Sequence, residues 1–237
     1  MRTDWEKVRR FVLIAALWLS NTIGGETAWA VPNHDGQVWV PLYNQLTLSE
    51  RFRGWFEVNP RFGDNMSEID QLLIRPALGY QLTPNLSLWQ GYGWITNYQP
   101  NFRDEHRLYQ ELSYRPTLSG LRIFSRTRLE ERFVRSTIGV ALRAREMLRV
   151  DFPIGSEGIW RLVIYDELFV NLNTISRGPQ SGFDQNRVFV GIHRTVNALL
   201  SFDFGYQNQS INTSGQHLVD KMNHIILFQW FIDWSQL

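Results

Sequence analysis

Between Arg107 and Asn173, charge-bearing residues fall on one side of a two-residue rhythm, and their types decide what chemistry they can do. From Leu121 the even positions carry Arg122, Phe124, Arg126, Arg128, Glu130 and Arg132, while the odd ones carry Leu121, Ile123, Ser125, Thr127 and Leu129. Arg143, Arg145, Arg149 and Asp151 then oppose Leu142, Ala144, Leu148 and Val150, and Arg161, Tyr165 and Glu167 oppose Trp160, Leu162, Ile164 and Leu168. Of the 24 basic residues only Lys7 and Lys221 are lysine. The planar, weakly hydrated guanidinium suits crowded carboxylate pairs, whereas lysine suits open water. The candidate residues are Arg61, Arg75, Arg107, Glu111, Arg126, Arg128, Glu130, Arg143, Arg145, Arg161, Glu167 and Arg187. Two kinds of chemistry are open to them: ion-pair ladders that fill and stiffen an interior, or a water-filled path whose surplus guanidinium groups favour anions.

Catalytic constellations are absent from the pattern. The five histidines, His34, His106, His193, His217 and His224, lack metal-ligand spacing, and there is neither a nucleophile elbow nor a phosphate loop, so no metal or cofactor is expected. The chain has no cysteine, which removes thiol nucleophiles and disulfides. A lipid-facing acyl hydrolase or acyltransferase would need a hydroxyl, a histidine base and an orienting group within hydrogen-bond reach. His224, in phase with Ile226 and Phe228, and Ser125 on an apolar face come nearest, and His106 with Glu111 is no better. The Asp184-Gln185-Asn186-Arg187 cluster closes a long loop and either recognises a ligand or gates at the outer rim, or, the favoured reading, has Asp184 and Asn186 satisfy loop backbone while Arg187 joins the charged face; Asp166 falls in the apolar phase, at an interface or beside a bulge.

Side chains alternate faces only in β-strands, so these residues must be held by a sheet with one ionic face. Eleven strand-like segments are expected, at 37–48, 52–62, 68–82, 86–98, 104–116, 120–132, 135–152, 158–172, 185–195, 198–209 and 219–234, joined alternately by short turns and longer polar stretches. That rhythm predicts an all-β, antiparallel transmembrane β-barrel of 10–12 strands. Twelve is favoured, because bacterial barrels of this kind have even strand numbers. An arginine facing lipid near the midplane costs ~2–4 kcal/mol, so the ionic face is expected inside and the apolar face outside. An aromatic fraction of 14%, with rings near strand ends, fits a membrane–water boundary.

Residues 1–30 read as an export signal: Arg2, Lys7, Arg9 and Arg10 precede the apolar run Phe11 to Leu19 and an Ala28-Trp29-Ala30 exit, leaving one domain over 31–237. Without that segment the chain carries 20 basic and 20 acidic residues, which gives no basic field for nucleic acid. The expected location is the cell outer membrane, as a monomer, with outer-membrane lipid, lipopolysaccharide and the barrel-assembly machinery as partners. The last segment, with Ile226, Phe228, Trp230, Ile232 and Trp234 in phase, resembles the signal that such machinery reads. A soluble periplasmic binding barrel is the remaining alternative.

Several blocks carry a family resemblance. Glu105 to Glu111, Ser125 to Phe133, Asp166 to Phe169 and Phe183 to Gly191, together with Trp39, Arg75-Pro76, Gly205 to Gln207 and Asn223-His224, resemble the family called domain of unknown function 2490. The resemblance runs over essentially all of residues 31–237. It implies an outer-membrane β-barrel fold, and it supplies no catalytic residues.

Overall fold

A computed structural model describes residues 32–99, 101–213 and 219–236. The segment expected to be an export signal lies outside the described residues. Within them the chain forms β1 (Asn33–Trp39), β2 (Leu42–Thr47), β3 (Phe52–Gly63), β4 (Glu68–Thr83), β5 (Leu86–Asn97), β6 (Arg103–Tyr114), β7 (Thr117–Leu118), β8 (Leu121–Val134), β9 (Ala141–Ile154), β10 (Trp160–Asn171), β11 (Gly182–Thr195), β12 (Leu200–Ile211) and β13 (Lys221–Asp233), then a single 3-10 turn, Trp234–Gln236. Antiparallel neighbours run in sequence order from β3 to β13, with the two-residue β7 pairing only with β8.

The ring closes in a way that corrects the favoured count of twelve. β1 and β2 are two halves of one wall strand, and both lie parallel to β13, with Val38 opposite Ile226 and Leu42 opposite Trp230. Counting that pair once, and β7 as an extension of β6, the barrel of described residues has eleven strands. An odd number is possible only because first and last strands run in the same direction, so one parallel seam interrupts the antiparallel alternation. The wall strand is broken at Pro41, which has no N–H for the ladder; its carbonyl instead accepts from Trp230 N at 2.9 Å.

One end of the barrel carries tight connections. At Leu118-Ser119-Gly120-Leu121 the two central residues have φ of 50° and 82° and Leu118 pairs with Leu121, the two-residue hairpin whose twist matches the strands. The other end carries the longer connections that leave β5, β8, β10 and β12, among them 135–140 and 172–181. Gly91, within a Gly-Tyr-Gly run, has its inner face covered by the Tyr109 ring: a Cβ there would sit 2.0 Å from the ring carbon Cζ. The glycine lets an aromatic side chain lie flat against the wall.

The two faces of the wall are opposite in character. Leu78, Leu88, Leu108, Leu112, Ile164, Val190, Phe204 and Ile226 point outward and are each 40–49% exposed, whereas inward Glu130, Arg143, Glu167 and Arg145 are at most 4% exposed. Asp166 does lie in the outward phase, and the register irregularity falls beyond it, between Phe169 and Val170. Its carboxylate is satisfied on the wall by Asn186 Nδ2 at 3.0 and 3.1 Å. Glu146 is likewise outward and accepts from Ser125 and Thr127 hydroxyls at 3.3 and 2.5 Å.

Candidate functional site in the barrel interior

Inward residues of β6, β8, β9, β10 and β11 meet as a chain of guanidinium and carboxylate groups. Glu130 on β8 accepts from Arg143 Nε and Nη2 at 2.9 and 2.6 Å and from Arg145 Nη1 at 2.5 Å. Arg143 then reaches past β10 to Asp184 on β11, at 2.7 Å. Glu167 on β10 takes Arg145 at 2.6 Å and Arg126 at 2.5 Å, the latter across the width of β9. Arg128 grips Glu111 through two nitrogens, with Nε at 2.8 Å, and Arg75 pairs with Glu57. Glu105 is held by Arg107 at 2.5 and 3.1 Å and by Arg132 at 2.7 and 3.1 Å, two-toothed in both cases. A lysine ammonium, a point charge, could not make these forks, which accounts physically for the arginine bias.

The same groups stack on rings. Phe169, 1% exposed, lies under Arg145, Arg187 and Arg143 at 4.4, 4.7 and 5.1 Å, and Arg128 lies over Tyr109 at 4.0 Å. Delocalised guanidinium groups gain from aromatic faces where water is excluded. An apolar cluster of Trp39, Val163, Tyr165, Phe189, Ile225 and Leu227, drawn from β1, β10, β11 and β13, packs beside the network.

Of the twelve candidate residues, ten join charged pairs: Arg75, Arg107, Glu111, Arg126, Arg128, Glu130, Arg143, Arg145 and Glu167 closely, and Arg187 only at 3.7 Å from Glu167. Arg61 instead donates to Gln71 at 2.7 Å and stacks over Trp39 at 3.5 Å. Arg161 lies at the tight-turn rim, where it donates to the Gly120 carbonyl at 2.5 Å. Glu105 and Asp184 are additional members of the network. Asp184 and Asn186 do not act on loop backbone as the sequence suggests: Asp184 accepts from Arg143, and Asn186 serves Asp166 on the outer wall.

Packing differs between the two halves of the interior. Toward the long connections Glu105, Glu130, Arg143, Asn171, Gln185, Gln209 and Asn223 are all buried, at 8% exposure or less. Toward the tight turns there is a cavity of about 530 Å³, reaching from Gln45, Thr117, Ser201 and Asp233 up to Trp39, Arg61 and Arg187. Its wall also includes Tyr43, Trp55, Trp89 and Phe231.

Among the described residues the histidines expected nearest to a catalytic site are not brought together with a nucleophile; His217 lies outside the described residues. His224 bonds Tyr206 OH at 2.6 Å and His34 at 2.9 Å, and Ser125 lies five strands away along the register, about 24 Å at the usual strand spacing. His106 contacts Tyr92 OH at 2.5 Å on the outer wall, while Glu111 points inward. His193 stands between Asp203 (2.7 Å) and Thr195 (3.4 Å), a triad in outline. Arg149 also bonds both Asp203 oxygens, at 2.5 and 3.3 Å, so the carboxylate is shared between His193 and a guanidinium. Among the described residues no group of histidines and acids could hold a metal ion.

Comparison with known proteins places this geometry in a family. An uncharacterized protein of Methylorubrum extorquens (strain AM1) is 34% identical over 227 residues, covering 93% of this chain and 96% of its own. Among solved structures, LpxR from Salmonella typhimurium aligns with a TM-score of 0.45 and 8% identity over 76% of this chain and 83% of that one. A family model described as a protein of unknown function (DUF2490) matches residues 36–220. The chain belongs to that family.

Proposed function

We propose that the protein is a monomeric outer-membrane β-barrel of structural type, with its interior closed toward the long connections by the arginine–glutamate network. The observation that carries this reading is the inversion of the wall: leucine, isoleucine, valine and phenylalanine face outward around the whole ring while the charges are enclosed. Soluble monomers rarely expose apolar patches beyond a few hundred Å², and lipid is the solvent in which such a wall is stable. Aromatic residues at the tight-turn end, Phe52, Tyr80, Tyr114, Trp160 and Trp230, and at the other end, Phe62, Trp94 and Phe133, supply two boundary belts. In that setting its partners are outer-membrane lipid, lipopolysaccharide and the barrel-assembly machinery.

Of the two roles open to the arginines, filling and stiffening is favoured over conduction, because a water-filled path would leave its lining accessible and these side chains are buried. Purified protein in planar bilayers is therefore expected to give no stepwise conductance. Stable anion-selective steps that shift when Arg126 or Arg143 is replaced would contradict the closed interior. Fractionation should recover the protein with membranes, migrating faster on a gel unboiled than boiled; recovery with the soluble periplasmic contents would contradict the location.

A further inference from the structure

We infer that the cavity in the tight-turn half is a binding site for a small organic anion, a phosphate or carboxylate carried on an apolar or aromatic body. This goes beyond the structural role above and does not depend on which solvent surrounds the wall. Nine arginines line the cavity against five carboxylates. Four of those acids are already committed: Glu57 to Arg75, Glu111 to Arg128, Asp151 to Arg149 and Glu167 to Arg126 and Arg145. Four of the nine arginines, Arg61, Arg115, Arg122 and Arg187, hydrogen-bond no carboxylate, and of these Arg61 and Arg187 lie together at the Trp39 end. Both flank the Trp39 ring, at 3.5 and 5.0 Å. Neither hydrogen-bonds a carboxylate, and the Nε–H of each is buried without a partner. Arg61 is 7% exposed.

Burying a guanidinium with N–H groups unpaired is costly, and an oxyanion accepting from both forks removes that cost. The aromatic walls supply the complementary apolar surface. The volume falls in the range, roughly 300–1,000 Å³, that small-molecule sites occupy. The exposed Arg122 and Thr117 at the mouth place the entrance among the tight turns.

Equilibrium dialysis of the folded full chain in a neutral detergent against 2-naphthyl phosphate tests the site, with 2-naphthol as the uncharged control. Saturable one-to-one binding of the phosphate is expected, with naphthol only partitioning into micelles. Affinity should fall by about tenfold or more in Arg61→Gln and Arg187→Gln, the scale of one lost charged hydrogen bond, and stay unchanged in Arg135→Gln, whose side chain lies outside the cavity. Absence of saturable binding by the parent protein would overturn the inference, as would equal binding of naphthol or indifference to both cavity substitutions. Should a substituted chain fail to show the folded, heat-modifiable form, the parent titration against the two probes decides alone.

Discussion

Replacing Glu130 by alanine is expected to cost the folded barrel about 3–5 kcal/mol, the scale of removing one partner from a buried ion pair. Glu130 is 1% exposed and is the acceptor shared by Arg143 and Arg145. Without it Arg145 still has Glu167 and Arg143 still has Asp184, but the link joining those two halves of the network is lost. Urea unfolding in lipid vesicles, followed by tryptophan fluorescence, reads the loss directly. A change under 1 kcal/mol would mean that water reaches these guanidinium groups and the interior is not closed. Substituting an apolar residue for the whole Arg143–Glu130–Arg145 group is a different experiment, since filling a core with hydrophobic side chains is often neutral or stabilising.

The second large effect belongs to the outer wall. Val190 is 48% exposed, with Ile164 and Tyr206 beside it on the neighbouring strands and no acid in its own row. In water, a Val190→Arg exchange at so exposed a position should be within about 0.5 kcal/mol of neutral. Facing hydrocarbon it should cost ~2–4 kcal/mol, and the same unfolding measurement in vesicles separates the two cases. Val190→Leu, which keeps the wall apolar, is expected to be neutral in both.

Much of this architecture is legible along the chain because the two-residue period reports faces directly. The eleven expected segments match the wall strands to within a few residues, and Leu121 to Arg132 has the inward and outward phases that alternation implies. The expected segment 135–152 begins six residues before β9 does. Ile138 and Val140 continue the apolar rhythm into a connection, and only Ser136 and Gly139, with φ of 67° and 106°, mark the break before β9. The barrel has eleven strands, inside the expected range of 10–12 but not the favoured twelve, for a different reason. An even count follows from closure by antiparallel neighbours, and the parallel seam of β1 and β2 with β13 is a pairing between strands far apart in sequence that no local pattern encodes.

The partners of the charged residues were less legible than their phase. Arg149 pairs with Asp203, 54 residues away, across two intervening strands, and Arg143 finds Asp184 across β10. Such ties depend on interior diameter and stagger, which alternation leaves open. Glu105 shares the phase of Arg107 and Glu111, which by alternation alone sets it inside with them. The cavity was not legible at all, because it is the space left after Trp55, Trp89, Tyr109 and the arginines have packed.

The central claim is the inverted wall, and the absence of cysteine makes it directly measurable. Single cysteines at Ile164, Val190 and Phe204, each carrying a nitroxide label in protein reconstituted into lipid vesicles, report by paramagnetic resonance whether they collide with membrane-dissolved oxygen or with a water-soluble nickel chelate. The account predicts strong oxygen and weak nickel accessibility at all three. Strong nickel accessibility at all three would mean that this apolar surface faces water, and would contradict it.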